Sequence, residues 1–152
     1  MTHWRDAPVR AVVSVFFIGY SPLAPGTLGS LAGAAFAWFW WGNPFWAAAF
    51  LSVLGLALCR PAQEVFGVKD PSPFVLDEAC GMQVALLGIP KNIVLFAAAF
   101  VLFRALDICK PGWISKAESY PHPFSIMADD LLAGFFVNLV LQSAMVCRNG
   151  MG

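Results

Sequence analysis

Gly81-Met82-Gln83-Val84-Ala85-Leu86-Leu87-Gly88-Ile89-Pro90-Lys91-Asn92-Ile93-Val94-Leu95-Phe96-Ala97-Ala98-Ala99-Phe100-Val101-Leu102 is the stretch that decides how this chain folds. Read as one membrane span, it places Pro90, Lys91 and Asn92 near its middle. A lysine at the bilayer centre costs about 2.5–3.5 kcal/mol on insertion scales, and a proline removes a backbone donor. Read as a hairpin with its tip at Pro90, the same residues escape both penalties. The hairpin also returns Asp107 to the side that carries Asp77.

The flanking sequence repeats this pattern of short apolar runs between polar turns. Leu28–Trp41 ends at Gly42-Asn43-Pro44, a strong turn signal, and Phe45–Cys59 runs back to Arg60-Pro61. Phe74–Ile89 and Ile93–Ile108 form the two limbs of the hairpin, and Leu131–Cys147 follows. Gly and Ala are frequent in these runs, and no period-2 alternation appears, so helices fit better than strands. The expectation is an all-α, compact bundle of about six helices in a single domain over residues 1–152. It is embedded in a membrane, with short helices and one hairpin turning at Pro90. A 15-residue helix rises roughly 22 Å against a hydrocarbon core near 30 Å, so some segments are half-inserted or extended by their flanks. The segment through Tyr20, with Trp4, Arg5 and Arg10, reads equally as an interfacial helix or as a plain packing helix.

Composition supports a membrane setting. Hydrophobic residues make up 59% of the 152 residues and charged ones 12%, against roughly 25% charged in an average soluble domain. Mean hydropathy is +0.72. A formal net charge of zero argues against a nucleic-acid face, which leaves lipid or small molecules as partners. Cys59, Cys80, Cys109 and Cys147 share no CxxC spacing and read as small buried hydrophobes. No cleavable signal peptide is expected, because Ala11–Tyr20 leads into Ser21-Pro22-Leu23-Ala24-Pro25-Gly26 rather than a small-x-small site.

Against this background the acids stand out. Of nine acidic residues, six fall at three polar breaks: Asp70, Asp77 and Glu78; Asp107; and Asp129 with Asp130. Carboxylates are costly near hydrocarbon, so such grouping marks ion chemistry. The hairpin puts all three breaks on one face of the bundle. Arg5, Arg10, Arg60, Lys69, Arg104, Lys110 and Lys116 fall on that face, and Lys91 and Arg148 opposite. Seven against two places the motif face in the cytoplasm by the positive-inside rule.

Four segments carry the candidate chemistry. In Tyr20–Leu31, two prolines and two glycines build a rigid loop in which Thr27 or Ser30 caps the next helix. Its free N–H groups suit a phosphate, though an ordinary capped turn explains the same residues. In Lys69–Glu78, Asp70 or Ser72 caps a helix whose first turns hold Asp77 and Glu78. Adjacent residues point about 100° apart, so one of this pair faces a metal or substrate and the other supports it. Arg104, Asp107 and Lys110 form one polar stripe, either phosphate-gripping cations around a metal-binding acid or an internal ion pair. Asp129 and Asp130 either ligate Mg²⁺ or simply favour a helix N-terminus. His3 and His122 are isolated. No C-x₅-R loop, D-x-D motif or arginine–histidine lipid-phosphatase signature is present.

These segments together resemble a known family. Ser21-Pro22-Leu23-Ala24-Pro25-Gly26-Thr27-Leu28-Gly29-Ser30 resembles the first signature of the phosphatidylglycerophosphatase A family. Lys69-Asp70-Pro71-Ser72 with Val75-Leu76-Asp77-Glu78 and Gly81 resembles the second, and Phe103–Pro111 the third. Ile126-Met127-Ala128-Asp129-Asp130 with Ala133-Gly134 is similar to the fourth. His122-Pro123-Phe124-Ser125 stands where the family usually has a glycine-rich stretch.

The resemblance implies a Mg²⁺-dependent hydrolase of the bacterial inner membrane, multi-pass and acting at the cytoplasmic face. Its reaction would convert phosphatidylglycerophosphate to phosphatidylglycerol and phosphate. Carried onto this chain, Asp77, Glu78, Asp107, Asp129 and Asp130 are the metal and catalytic acids. Thr27, Ser30, Lys69, Arg104 and Lys110 are the phosphate contacts. Two other readings compete: a non-catalytic membrane bundle that binds a cation or partner, and a phosphatase for a soluble ester.

Overall fold

The computed structural model describes residues 3–109 and 122–150, so Lys110 and Lys116 lie outside the described residues. Among the described residues the chain is all-helical, with six α-helices and no strand. They are α1 (His3–Val13), α2 (Pro25–Phe39), α3 (Pro44–Phe66), α4 (Leu76–Ala85), α5 (Ile93–Cys109) and α6 (Ser125–Gly150), with a 3₁₀ turn at Ile18–Tyr20.

The expected hairpin is present. Helix α4 ends at Ala85, and Gly88 takes a left-handed φ of 70° that a side chain would resist. Asn92 then caps α5 by accepting from the Val94 and Leu95 N–H groups. Asn138 of α6 donates to the carbonyls of Ala85 and Leu87, and Gln142 also donates to Leu87. These bonds satisfy carbonyls at the tip that the helix end leaves open. Lys91 donates to the Trp40 carbonyl and lies over the Trp41 ring, which ties this tip to the α2–α3 turn.

Helix α4 is the centre of the bundle, with eight of its ten residues buried. Glycines allow this. A Cβ on Gly29 or Gly33 of α2 would lie 2.8 Å from the Val75 carbonyl oxygen or 2.6 Å from that of Ala79. On the other side, a Cβ on Gly81 would meet the Asp130 carbonyl at 2.6 Å and the Phe103 ring at 2.7 Å. Gly134 of α6 sits directly on the Gly81 carbonyl. Backbones this close gain dispersion contacts that larger residues would forbid, as in helix pairs packed through small residues. Gln83 adds a buried bond to the Gly33 carbonyl.

Several helix ends differ from the sequence reading, each for a packing reason. Helix α3 continues through Pro61 to Phe66 rather than ending at Arg60-Pro61. Cys59 and Ala62 are fully buried on either side of Pro61, so tertiary packing outweighs the one lost backbone bond. The helix stops at Gly67, where φ is 72° and its N–H bonds the Gln63 carbonyl. Arg10 of α1 donates to the Val65 carbonyl, 2.9 Å away, and covers the Phe66 ring. Helix α6 begins at Ser125 instead of Leu131, because Ile126 and Met127 are already core residues. Cys59 and Cys80 are buried as expected, whereas Cys109 and Cys147 are exposed.

By length and composition, Pro44–Phe66 and Ser125–Arg148 are long and apolar enough to cross a membrane, at 23 and 24 residues. Only 28% of the apolar window of each is buried inside the protein. Phe50, Val53, Val101, Phe135 and Val140 are among the large apolar side chains left exposed.

The glycine contacts give a first test. Gly81→Ala or Gly134→Ala should destabilise the bundle by about 1–3 kcal/mol through overpacking, while Ser143→Ala on an exposed turn of α6 should not. Denaturant unfolding in detergent reads both. An unchanged midpoint for both glycine variants would contradict the close-packed crossing.

Candidate metal and phosphate site

Helices α2, α4 and α6 all start at one end of the bundle, and their first turns converge there. The α4–α6 crossing at Gly81 and Gly134 brings together the residues one turn earlier on each helix. Those residues are Asp77 and Asp130, 7% and 4% exposed. Oxygens of Asp77, Glu78 and Asp130 can lie within 4.8 Å of one another. Asp129 is also buried and borders the same space.

The cluster closes one side of a cavity of about 280 Å³. Lys69, Asp70, Pro71 and Ser72 line it from the loop before α4, Asp107 from α5, and Ser125, Ile126 and Asp129 from α6. Asp107 is paired with Arg104 one turn earlier, and its nearby carboxylate helps push the Asp130 carboxyl up. Gly26, in the first turn of α2, sits directly against a Glu78 carboxylate oxygen and near Arg104. All three polar breaks therefore reach one place.

Both members of the Asp77–Glu78 pair join the cluster, rather than one facing it and the other supporting it. Eight of the ten α4 residues are buried, so a 100° turn does not separate site from solvent. Asp77 has Glu78 and Asp130 as charged neighbours, and Glu78 also has Arg104 and Asp107. Burial first, and neighbouring carboxylates second, push the Asp77 carboxyl well above the usual carboxylate range. Burial and the Asp107 charge also raise Glu78, opposed in part by Arg104.

The capping expectations do not hold. Helix α2 is preceded by Ala24 with no side-chain cap, and the buried Ser30 hydroxyl donates back to the Gly26 carbonyl at 2.9 Å. Thr27 is half-buried and does not line the cavity. What this loop presents to Glu78 and Arg104 is the uncapped first turn of α2, whose N–H groups have no intrahelical acceptor. Helix α4 starts after Val75, without a cap from Asp70 or Ser72. Asp129 and Asp130 lie in the second turn of α6, past the reach of a simple helix-end role. The sequence reading placed Gly26 in the first signature but gave it no role, because what matters is the missing side chain beside Glu78 and Arg104.

The donor set suits a hard divalent cation. It consists of carboxylate oxygens, and Glu78 Oε2 and Asp130 Oδ1 are buried with no hydrogen-bond partner among the described residues. Buried polar atoms normally have partners, so these two are open ligand positions. Arg104 Nε is also buried and has no partner among the described residues.

The sequence model described as phosphatidylglycerophosphatase A matches residues 11–145. The chain belongs to the phosphatidylglycerophosphatase A family. A protein of that name from Escherichia coli K12 is 37% identical over 125 residues, covering 78% of this chain and 73% of the relative. Its namesake from Haemophilus influenzae is 35% identical over 143 residues, 88% of this chain and 86% of the relative. A Bacteroides thetaiotaomicron protein named putative phosphatidylinositol-3-phosphatase is 36% identical over 142 residues, covering 85% and 88%. No solved structure matches the chain. Family membership makes it an enzyme of the hydrolase class, a phosphatase.

Clustered carboxylates serve ion binding at a cost to the metal-free fold. In EDTA, Asp77→Asn and Asp130→Asn should each unfold later than the parent, by on the order of 1 kcal/mol at neutral pH. Loss of a like charge produces this gain. Earlier unfolding of both variants would mean the acids stabilise the fold as they stand.

Proposed function

We propose that this protein removes the phosphate of phosphatidylglycerophosphate to give phosphatidylglycerol, using Mg²⁺ held by the Asp77–Glu78–Asp130 cluster. One observation carries the reading: among the described residues six carboxylates border the cavity, against Lys69 as a lining cation and Arg104 beside it. A phosphate monoester is itself an anion and would be repelled unless a cation intervened. When bound, Mg²⁺ supplies charge neutralisation at the phosphate and Lewis-acid activation of water.

The chain's own residues then have distinct tasks. Asp77, Glu78 and Asp130 hold the ion. Arg104 fixes Asp107, which in turn positions the Asp130 carboxyl. The unpartnered Arg104 Nε, Lys69 and the first-turn N–H groups of α2 receive phosphate oxygens. Asp129, on the cavity wall, takes the proton of the attacking water at a carboxylate oxygen. Lys110 is kept as a further phosphate contact on the strength of the family resemblance alone.

The relative named as a putative phosphatidylinositol-3-phosphatase supports a second headgroup as the competing reading. Phosphate release from both lipids and from glycerol 3-phosphate, with Mg²⁺ and with EDTA, separates these. The expected result is turnover of phosphatidylglycerophosphate that EDTA abolishes. Asp129→Asn should lower kcat about 100-fold or more. Full activity in EDTA, or in Asp77→Asn and Asp129→Asn together, would remove the metal-site mechanism.

The same reading places the protein in the bacterial cytoplasmic membrane as a multi-pass enzyme with its site toward the cytoplasm. Lys69, Arg60 and Arg104 lie toward the site end, while Lys91 sits at the opposite tip. In a background lacking Cys109 and Cys147, Ser72→Cys should label from the cytoplasm and Asn92→Cys from the other side. Labelling of both from one side would contradict this topology.

A further inference from the structure

Two apolar grooves run along the outer face of α2, and neither is needed by the phosphate chemistry. One, of about 450 Å³, lies between α2 and α5 and is lined by Ala34, Trp38, Ala97 and Phe100. The other, of about 550 Å³, lies between α2 and the turn that follows α1, lined by Phe17, Tyr20, Leu28 and Ala32. Leu31 and Ala35 line both. These two residues, four apart on one helix, form a ridge one side chain wide between the grooves.

We propose that these grooves hold the two acyl chains of the substrate lipid, which straddles the Leu31–Ala35 ridge; this rests on the lipid phosphatase reading above. Continuity with the site supports it. The groove beside Tyr20 reaches Leu28, two residues past the Gly26 that meets Glu78 and Arg104, and the α2–α5 groove joins it at Leu31 and Ala35. The first then runs away from the site toward Phe39 and Ile93, along the bundle axis. The second opens beside Tyr20 and Ser21, polar groups at the level where tails join a headgroup. Its outer wall follows three consecutive non-glycine residues with left-handed φ, Val15, Phe16 and Phe17, so the backbone is held in an uncommon shape there. A helix from a second copy, about 10 Å across, would need one broad groove rather than two divided by a single side chain.

Lipid tails are about as apolar as the groove walls, so tail burial adds little affinity within a bilayer. The grooves act instead by registration: they set the lipid so that its phosphate reaches the cavity. Filling a groove should therefore penalise substrates according to chain length.

The test uses Ala97→Phe, which fills the α2–α5 groove, and Ala35→Phe, which obstructs both. Ala35 and Ala97 are exposed, so the fold should tolerate the added rings. Val101→Phe, on an exposed part of α5 outside both grooves, is the control. For dipalmitoyl phosphatidylglycerophosphate in mixed micelles, kcat/KM should fall about tenfold in Ala35→Phe and less in Ala97→Phe. Turnover of the dihexanoyl lipid should be unchanged. Equal losses on both lipids, or none on either, would overturn the assignment. Wild-type protein that hydrolyses neither lipid would instead overturn the substrate reading. The grooves are then read by a diazirine-tailed phosphatidylglycerol, expected to crosslink residues 28–39 and 93–100. Even crosslinking around Phe50 and Val53 of α3 would overturn them.

Discussion

Three carboxylates, the buried Asp77 and Asp130 and the half-buried Glu78, are kept in mutual reach, and the rest of the molecule is organised around that repulsion. Like charges in a poorly hydrated space raise each other's energy, so they need a fold that prevents their separation. Glycines supply it. Gly81 and Gly134 let α4 and α6 touch backbone to backbone, and Gly29 and Gly33 bring α2 onto the opposite side of α4. With α4 held from both sides, its acids stay at the wall of the cavity. The arrangement is also made tolerable by what faces it: three helix N-termini, with their partial positive charge, and Arg104. Three carboxylates this close together could hold a metal ion.

The same arrangement gives the bundle two chemically different ends. At one, acids, Lys69 and Arg104 surround a polar cavity. At the other, Lys91 packs with Trp40 and Trp41, and Trp41 is 95% exposed. Aromatic rings beside a lysine suit the boundary between hydrocarbon and water. Between the ends the surface is apolar, crossed by two helices of spanning length.

Much of this was legible in the sequence, and the reasons are specific. Pro90 and Lys91 interrupt an apolar run at a place no single span tolerates, so the hairpin was readable. Asp77, Asp107 and Asp130 were readable because acids are rare in an oily chain and each sat at a polar break. Helix ends were harder. Pro61 looked like a terminator, yet burial of Cys59 and Ala62 carries α3 past it. Ser30, Asp70 and Ser72 have the chemistry of caps, but none caps, because packing rather than local bonding fixes where α2 and α4 begin. The joint role of Asp77 and Glu78 was hidden for a similar reason: a helical wheel assumes a solvent side, and eight of the ten α4 residues are buried. The role of Gly26 was invisible because its importance is an absence of side chain beside Glu78 and Arg104.

The claim that the acid cluster is a cation site is tested most directly by crystallising the protein with Mn²⁺ and locating the metal by anomalous scattering. The account predicts a peak bounded by oxygens of Asp77, Glu78 and Asp130, lost when Asp130 is replaced by Asn. A peak elsewhere, or a cluster in which protonated carboxyls bond one another with no ion between them at saturating Mn²⁺, would contradict it.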